Sequence, residues 1–496
     1  MLKILINNIT LPTVEATVKI KKERDAFTSD FTTASSTQPF LIVENQNTVA
    51  ALGPSNRFTK KNKEYKVSVL DGFTIYKGIL YELEPVDGYR KCDLVYTNEL
   101  LDEYSKKIHS FFPEIEIENN TPKAYIEATS VDFIDTAWAG YVENFVSRSF
   151  PEVYFNFPTF KYPTQFGELK TDSDWYKYKG SINYKVLGVP PLNNNVDGLN
   201  NQNVIAPFYY LLSPLYQSFY DYLEYSIVGD VANDKVMQSR VLIHENNLLV
   251  EITQPENDET EWQTVYKHHL TIHPERFLPD WTLAEYIKIL KNDFNIEVVV
   301  DQVTKTINLN YVQDVYWNTP VKNINGFKYK KPLYPKTNTT SNYLLKSADN
   351  DDFVSITSND LTVVFREDVN TEIIETSFKQ TPEVLTKSWF EKNGVGLSFY
   401  NYLTDDTYHI TSYLNRTNAI AGSGGIAEVY FIKWLQMLLA ANFFEVDFIC
   451  SQREKSILEN SRSVYMENQS FLVKSIEFEQ NESLYLVLAE LISFNP

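Results

Sequence analysis

Apolar and polar residues alternate at both ends of the chain. Leu2–Ile6 and Ala16–Lys21 read as strands flanking an Asn-Asn/Pro turn, and a short helix fits Thr48–Leu52, with Asn47 as N-cap, Gly53 at C′ and Pro54 stopping it. Glu64–Leu70 and Phe73–Leu83 alternate on either side of Asp71-Gly72, the two-residue turn signal of a hairpin. The period then changes. Leu101, Tyr104, Ile108 and Phe111 recur at helical spacing and predict an amphipathic helix over 99–112 capped by Asn98.

From Tyr125 to Tyr184 aromatics such as Trp138, Tyr141, Phe145, Phe150, Tyr154, Phe155 and Phe157 follow no single period, and no element is predicted. The Asn/Pro/Gly-rich stretch Gly188–Pro207 predicts an exposed loop, not necessarily a domain linker. The cleanest unit spans 264–312. A strand at Thr264–Ile272 leads to a helix over Leu283–Lys291, with Thr282 and Glu285 as a capping box and Trp281 and Tyr286 as a hydrophobic staple. Strands Ile296–Val300 and Thr306–Tyr311 complete a β-α-β-β unit.

After a Pro/Lys/Asn segment at 320–342, strands are predicted at Phe353–Ile356 and Leu361–Arg366. A helix follows from Thr381-Pro382-Glu383, with Pro at N1, to Gly394. Asn418–Ala427, which contains AGSGG, is expected to be mobile, and an apolar helix covers Val429–Ala440. Alternation returns in Ser463–Glu467, Phe471–Phe478 and Ser483–Leu491, with turns at Asn468-Gln469 and Gln480-Asn481.

At 496 residues the chain is long enough for three or four domains. We divide it at 1–125 (β with one helix), 126–262 (aromatic-rich, carrying the 188–207 loop), 263–320 (β-α-β-β) and 321–496 (β-rich). The fold class is α+β, β-rich and multidomain. Aromatic residues make up 14%, and Asn is abundant, both of which suit strands joined by loops. The formal charge of −20 argues against neutralising nucleic-acid phosphates and against adhesion to an anionic membrane. Cys92 and Cys450 cannot form a disulfide framework, which fits synthesis in a reducing cytoplasm. The run Met1–Ile6 is too short for a signal-peptide core. Phe431–Phe444 falls short of the ~20 residues a bilayer span requires.

Candidate chemistry is sparse. His268, His269 and His273 could hold a metal, but in a strand His268 and His269 face opposite ways, and His273 lies about 13 Å from His269 at ~3.3 Å per residue. Surface and half-buried strand histidines are the simpler reading. Ala421–Gly425 lacks the Gly-Lys-Ser/Thr of a phosphate loop and does not fit G-x-S-x-G, so it reads as a hinge. Asp349, Asp351 and Asp352 do not fit a calcium loop, because Val354 stands at its sixth position and Asp360 at its twelfth. Val315–Lys346 has no acidic residue and carries Lys322, Lys328, Lys330, Lys331, Lys336 and Lys346 beside Tyr316, Trp317, Phe327, Tyr329 and Tyr334. Such a strip can stack single-stranded nucleic acid, but on so acidic a chain it reads better as a contact with an acidic copy or partner. No carboxylate pair is singled out by spacing. We assign no catalytic, cofactor or metal residue and expect a structural or binding protein, not an enzyme.

Four segments in order carry a resemblance: the Tyr-rich hairpin EYKVSVLDGFTIYKGILYEL, the capped helix 98–112, the unit DWTLAEYIKILKNDFNIEVVVDQVTKTINLNYV, and the C-terminal VYMENQSFLVKSIEFEQNESLYLVLAEL. Together they resemble the tail and baseplate hub proteins of bacteriophages, the late-control-protein-D-like group, and related spike-base proteins of contractile injection systems. The Asn-, Tyr- and Lys-rich style suggests a phage of a Bacteroidetes host. The resemblance spans most of the chain through pattern and order, although 150–261 does not match. It implies two barrel-like antiparallel β domains, with small α/β domains between them, packed round the axis of a homotrimer. It also implies a virion protein that closes the tail tube, meets tube and adaptor proteins and a central spike or fibre, and lets DNA pass without specific binding. An aromatic-rich glycan-binding or glycan-cleaving receptor-binding tail protein is the alternative, distinguished by an exposed aromatic cleft with nearby carboxylates.

Overall fold

The structure, a computed structural model, describes residues 2–14, 18–23, 35–37, 39–54, 63–71, 74–97, 101–116, 141–142, 145–163, 181–183, 204–255, 262–268, 271–301, 304–317, 321–347, 351–358, 361–362, 370–400, 412–459, 461–481 and 484–493. It is a β-rich α+β fold in which strands from both ends of the chain form one 14-stranded sheet. We number the strands of this sheet only. The N-terminal eight are β1 (Leu2–Ile6), β2 (Ile9–Leu11), β3 (Lys19–Glu23), β4 (Ser35–Thr37), β5 (Phe40–Val43), β6 (Lys63–Asp71), β7 (Thr74–Val86) and β8 (Tyr89–Thr97). The C-terminal six are β9 (Val321–Asn323), β10 (Lys328–Lys336), β11 (Phe443–Ser451), β12 (Ser463–Met466), β13 (Gln469–Asn481) and β14 (Leu484–Ser493).

The first barrel-like unit follows the order β2-β1-β6-β7-β8-β5. Asn7 and Asn8 turn β1 into β2 at φ +47° and +66°, a left-handed region that Asn tolerates. The β6–β7 register ends on Asp71↔Thr74, so the connection falls on Gly72 and Phe73, outside the described residues. The ring returns to its start where Thr13 bridges Ile42, with the Val14 N–H donating to Leu41 O and the Val43 N–H to Pro12 O, each at 2.9 Å. Inside lie Ile4, Leu11, Ile20, Phe40, Val69, Leu80 and Leu94. The short helix beside this unit is Gln46–Leu52. Its N-cap is Asn45 rather than Asn47, and Gly53 takes a positive φ at its end.

The second barrel-like unit runs β9-β12-β13-β14-β11-β10. The chain itself joins its first and last members: the Ile324 N–H donates to Tyr465 O, and the Phe327 N–H then donates back to Ile324 O as the chain crosses to β10. Phe448, Val464, Phe471, Val473, Phe478, Val487 and Leu491 fill it. The β12–β13 turn falls on Glu467-Asn468, both at positive φ, one residue before the expected place. The segment 320–342, for which no element was predicted, supplies β9 and β10. Pro332 and Pro335 fit because β10 lies at the end of the sheet, where a missing N–H costs no ladder bond.

Buried residues of the described segments between Tyr104 and Tyr316 and between Tyr343 and Leu438 share the central core with Leu472 and Ile492, so the strands of the second barrel are interleaved with the central body. Its best-formed element is the helix Leu283–Phe294, with the Thr282/Glu285 capping box, Trp281 stacked on Tyr286 at 6.3 Å and Asn295 left-handed at the C-cap. Strands Ile296–Asp301 and Thr306–Tyr311 pair as expected, but their third partner is Ser226–Val228, parallel to Thr306–Tyr311. The expected strand 264–272 pairs elsewhere, as Trp262–His268 with Leu249–Pro255 and as Thr271–Ile272 with Ile115–Glu116. The β-α-β-β unit is therefore an α-β-β hairpin completed from upstream.

Other expectations are also revised. The helix over 99–112 breaks into Leu101–Tyr104 and a 3₁₀ turn Ile108–Phe111, because Lys107 bridges Thr282 and the Ile108 N–H donates to Trp281 O. The helix expected from Thr381 begins at Lys387 with Thr386 as its cap. Of the exposed loop 188–207, residues 188–203 lie outside the described set, and Val204, Ile205 and Ala206 are buried.

The central body buries two titratable groups with opposite pH consequences. Asp293 accepts the N–H groups of Ser377 and Phe378 at 2.8–3.1 Å, yet burial pushes its carboxyl up to about 7. His244 stacks on Phe208 at 4.7 Å, and burial lowers it to about 4. A histidine depressed in the folded state binds its proton more readily when unfolded, so its contribution to stability is full above about 6.5 and is lost as pH falls towards 4. His244→Phe is expected to narrow the loss of Tm between pH 7 and pH 5 relative to the wild type. An equal loss in both proteins would show that His244 does not titrate on unfolding.

Candidate assembly surfaces

Among the described strands the barrels are joined by the pairing of β3 with β13. Lys19, Lys21 and Lys22 of β3 run antiparallel to Glu477 and Glu479 of β13, with Lys19↔Glu479 and Lys21↔Glu477 in register. Lys19 Nζ lies 3.1 Å from Glu479 and 3.6 Å from Glu477, and the Glu479 hydrogen bond holds the ammonium above its ordinary range. Such half-exposed pairs contribute fractions of a kcal/mol each, so they select the register more than they stabilise it.

The basic strip is divided by the fold. Tyr316 is buried against Trp434 at 5.2 Å, while Phe327 and Tyr329 pack on Phe448 in the second barrel. Lys346 is buried beside Glu375, and the side chain of Trp317 lies outside the described set. What remains is the outer face of β10: Lys328, Lys330, Lys331, Tyr334 and Lys336 are exposed, Tyr334 by 70%. β10 pairs only with β11 among the described strands, and its register slips between Tyr329 and Tyr334. Bulges, prolines and lysines are the usual protection of an open sheet edge against indiscriminate pairing. Lys331 reaches Asp447 at 3.6 Å, and Lys336 pairs with Glu490. Burial works against ionisation of Glu490, but Lys336 and Lys474 outweigh it and hold the carboxyl below the usual range. Among the described side chains of the strip, Tyr334 is the exposed aromatic; Tyr316 is buried and Phe327 and Tyr329 are half-buried. At the far end of the first barrel, Leu83, Val86 and Tyr89 are exposed round the β7–β8 turn.

Among the described residues of the middle region most aromatic side chains are buried, while Tyr220 and Tyr222 are exposed by 56% and 52%. Phe145 stacks on Phe155 at 5.1 Å, Phe157 meets both rings edge-on at 5.8–6.5 Å, Tyr209 packs on Phe155 at 5.3 Å, and Phe150 packs on Tyr210 and Tyr216. Arg240 is fully buried, 4.7, 5.2 and 5.6 Å from the rings of Phe294, Phe399 and Tyr430. A cavity of about 310 Å³ between the central body and second barrel is lined by Trp434, Phe443, Glu372, Lys474 and Glu490, but Trp434 is only 2% exposed.

The singled-out motifs prove mostly structural. Asp352 accepts the Ile420 N–H at 2.8 Å, and Asp351 faces Lys379 and Lys392; Asp349 lies outside the described residues. AGSGG is packed rather than loose: Gly424 and Gly425 are buried, and the Gly424 N–H donates to Glu428 at 2.6 Å. Of the histidines, His269 and the side chain of His268 lie outside the described set. His273 stands 2.9 Å from Glu114 and 4.0 Å from Glu275. Glu275 was visible as a near neighbour in sequence, whereas Glu114, 159 residues away, was not.

No family model and no curated protein matches this sequence. Similar solved structures exist. The 43 kDa tail protein of prophage MuSo2 from Shewanella oneidensis is 8% identical, with a TM-score of 0.34 over 99% of this chain and 96% of that one. A tail protein from Neisseria meningitidis MC58 is likewise 8% identical, with a TM-score of 0.31 over 99% and 96%. Prophage tail protein gp18 from Listeria monocytogenes EGD-e, also 8% identical, gives 0.29 over 98% and 94%. Each of these alignments covers nearly the whole of both chains. No helix among the described residues is long and apolar enough to cross a membrane.

Proposed function

We propose that this chain is the subunit of a phage tail or baseplate hub, a homotrimeric ring that closes the tail tube and connects it to a central spike or fibre. The observation that carries the reading is the fusion of two barrel-like units, one from each end of the chain, into one sheet through β3 and β13. Two barrels rigidly held side by side form an arc, and three such arcs make a ring from a single gene product. The sequence resemblance supports the same assignment. The basic edge β10 of one copy faces the acidic surface of the next. Three copies carry a formal −60, three times −20, and a negative lumen repels the phosphates of passing DNA so that the genome does not adhere. The packing of half-buried Phe145 and buried Phe150, Phe155, Phe157, Tyr209 and Tyr210 among one another weighs against the glycan-binding alternative, which needs a cleft of exposed rings.

Light scattering and negative-stain class averages test this. A ring of about 172 kDa, three times 57.5 kDa, with a central hole is the expected result. The combined change Lys328→Glu, Lys330→Glu and Lys331→Glu is expected to reduce it to monomers. A wild-type monomer at all concentrations that binds bacterial surface glycans would overturn the hub reading in favour of a receptor-binding tail protein.

A further inference from the structure

Three chemistry-bearing side chains converge at the end of the short ladder between Ile115–Glu116 and Thr271–Ile272. The register Ile115↔Ile272, carried one step further, sets Glu114 opposite His273, and the 3₁₀ turn Pro274–Arg276 brings Glu275 back to the same point. His273 Nδ1 lies 2.9 Å from a carboxylate oxygen of Glu114 and 4.0 Å from one of Glu275, and the three possible ligand atoms all fall within 4.8 Å of one another. Arg276, the adjacent cation, is turned away and donates to Asn247 O at 3.1 Å.

We propose that Glu114, His273 and Glu275 form a binding site for a divalent transition ion of the zinc class. Tetrahedral zinc with bonds of about 2.0–2.2 Å holds its ligand atoms roughly 3.3–3.5 Å apart. The distances of 2.9 and 4.0 Å from His273 bracket that value, and with all three ligand atoms within 4.8 Å of one another, rotation of the two exposed glutamate side chains closes the set round an ion. One imidazole and two carboxylates suit a borderline metal. Calcium requires six to eight oxygens, and magnesium prefers an all-oxygen octahedron. The partial exposure of all three side chains leaves the fourth position to water. A bound ion would tie the segment leaving the first barrel to the start of the central helix region, across 159 residues of sequence.

The test uses the full chain freed of metal with a chelator. Titrated Co²⁺ is expected to give visible d–d absorption saturating at one equivalent per chain, displaced by Zn²⁺, and Zn²⁺ is expected to raise Tm. His273→Ala should abolish the band, and Glu114→Gln or Glu275→Gln should each weaken binding roughly tenfold or more. These three side chains are at the surface, so circular dichroism should show the variants folded. His109→Ala, at the separate His109–Asp280 pair, should leave the band unchanged. A band that survives His273→Ala would place the metal elsewhere. No band and no rise in Tm with zinc up to about 1 mM would leave the cluster a simple ion pair and overturn the proposal.

Discussion

Arg90→Met is expected to unfold the first barrel well below the melting temperature of the rest of the molecule. Arg90 has no exposed side-chain surface. Its guanidinium pairs with both carboxylate oxygens of Glu44, donates to Gly53 O at 2.6 Å, and lies 3.4 Å from Glu82, which is itself buried. One cation thus joins β8, β7, the end of β5 and the C-terminus of the short helix. Methionine fills a similar volume but takes the cation away from beside both carboxylates, one of them buried. Breaking a buried pair in this way costs about 3–5 kcal/mol, far more than the pair contributes relative to an apolar replacement. Arg90→Met combined with Glu44→Gln and Glu82→Gln should therefore recover much of the loss. The chain offers a convenient readout, because residues 1–97 contain no tryptophan. Far-UV circular dichroism should show an early transition that tryptophan fluorescence misses. Coincident transitions at the wild-type temperature would show that Arg90 does not hold the barrel.

The second large effect lies in AGSGG. Gly424 has φ +71°, and a Cβ there would stand 2.0 Å from the carbonyl oxygen of Asn415. Asn415 turns the hairpin Ser412–Thr417, whose end is tied to the same glycine by the Thr417 N–H donating to Gly424 O at 2.9 Å. Backbone meets backbone, so no side-chain rotation relieves the clash. Gly424→Ala is expected to cost roughly 3 kcal/mol or more, as overlap adds to left-handed strain. Gly422 also has positive φ (+92°) but open space round it, so Gly422→Ala should cost only about 1–2 kcal/mol. Urea midpoints followed by tryptophan fluorescence separate the two. Equal, small losses would restore the picture of a hinge.

Elements whose signals lie within a turn or one ladder step were legible in the sequence. The helix at 283–294 combined cap, box, staple and apolar face within a dozen residues, and the structure contains all four. Strands β1, β3, β6, β7, β12, β13 and β14 followed from alternation, since a half-buried strand needs only period two, whereas β8 and β11 were not foreseen. Where residues at helical spacing met a competing partner, the local signal lost. Ile108 and Phe111 kept their burial, but the backbone at Lys107 bonded to the loop before Thr282 instead of completing the helix.

Tertiary structure alone decided which strands became neighbours. Nothing near Lys19–Glu23 indicates that it will pair with residues 475–479, yet that pairing joins the two barrels. The prolines that disguised Lys328–Lys336 are tolerated only because the strand lies at a sheet edge. Glu114 and His273 meet only because two-residue strands from distant segments happen to pair. Propensity, capping and alternation are set by contacts within a few residues, so the sequence determined the elements, the β-rich class and the acidic balance. Pairing partners and converging side chains are chosen by the apolar surface buried and the backbone bonds satisfied over the whole chain, and these were settled only when it folded.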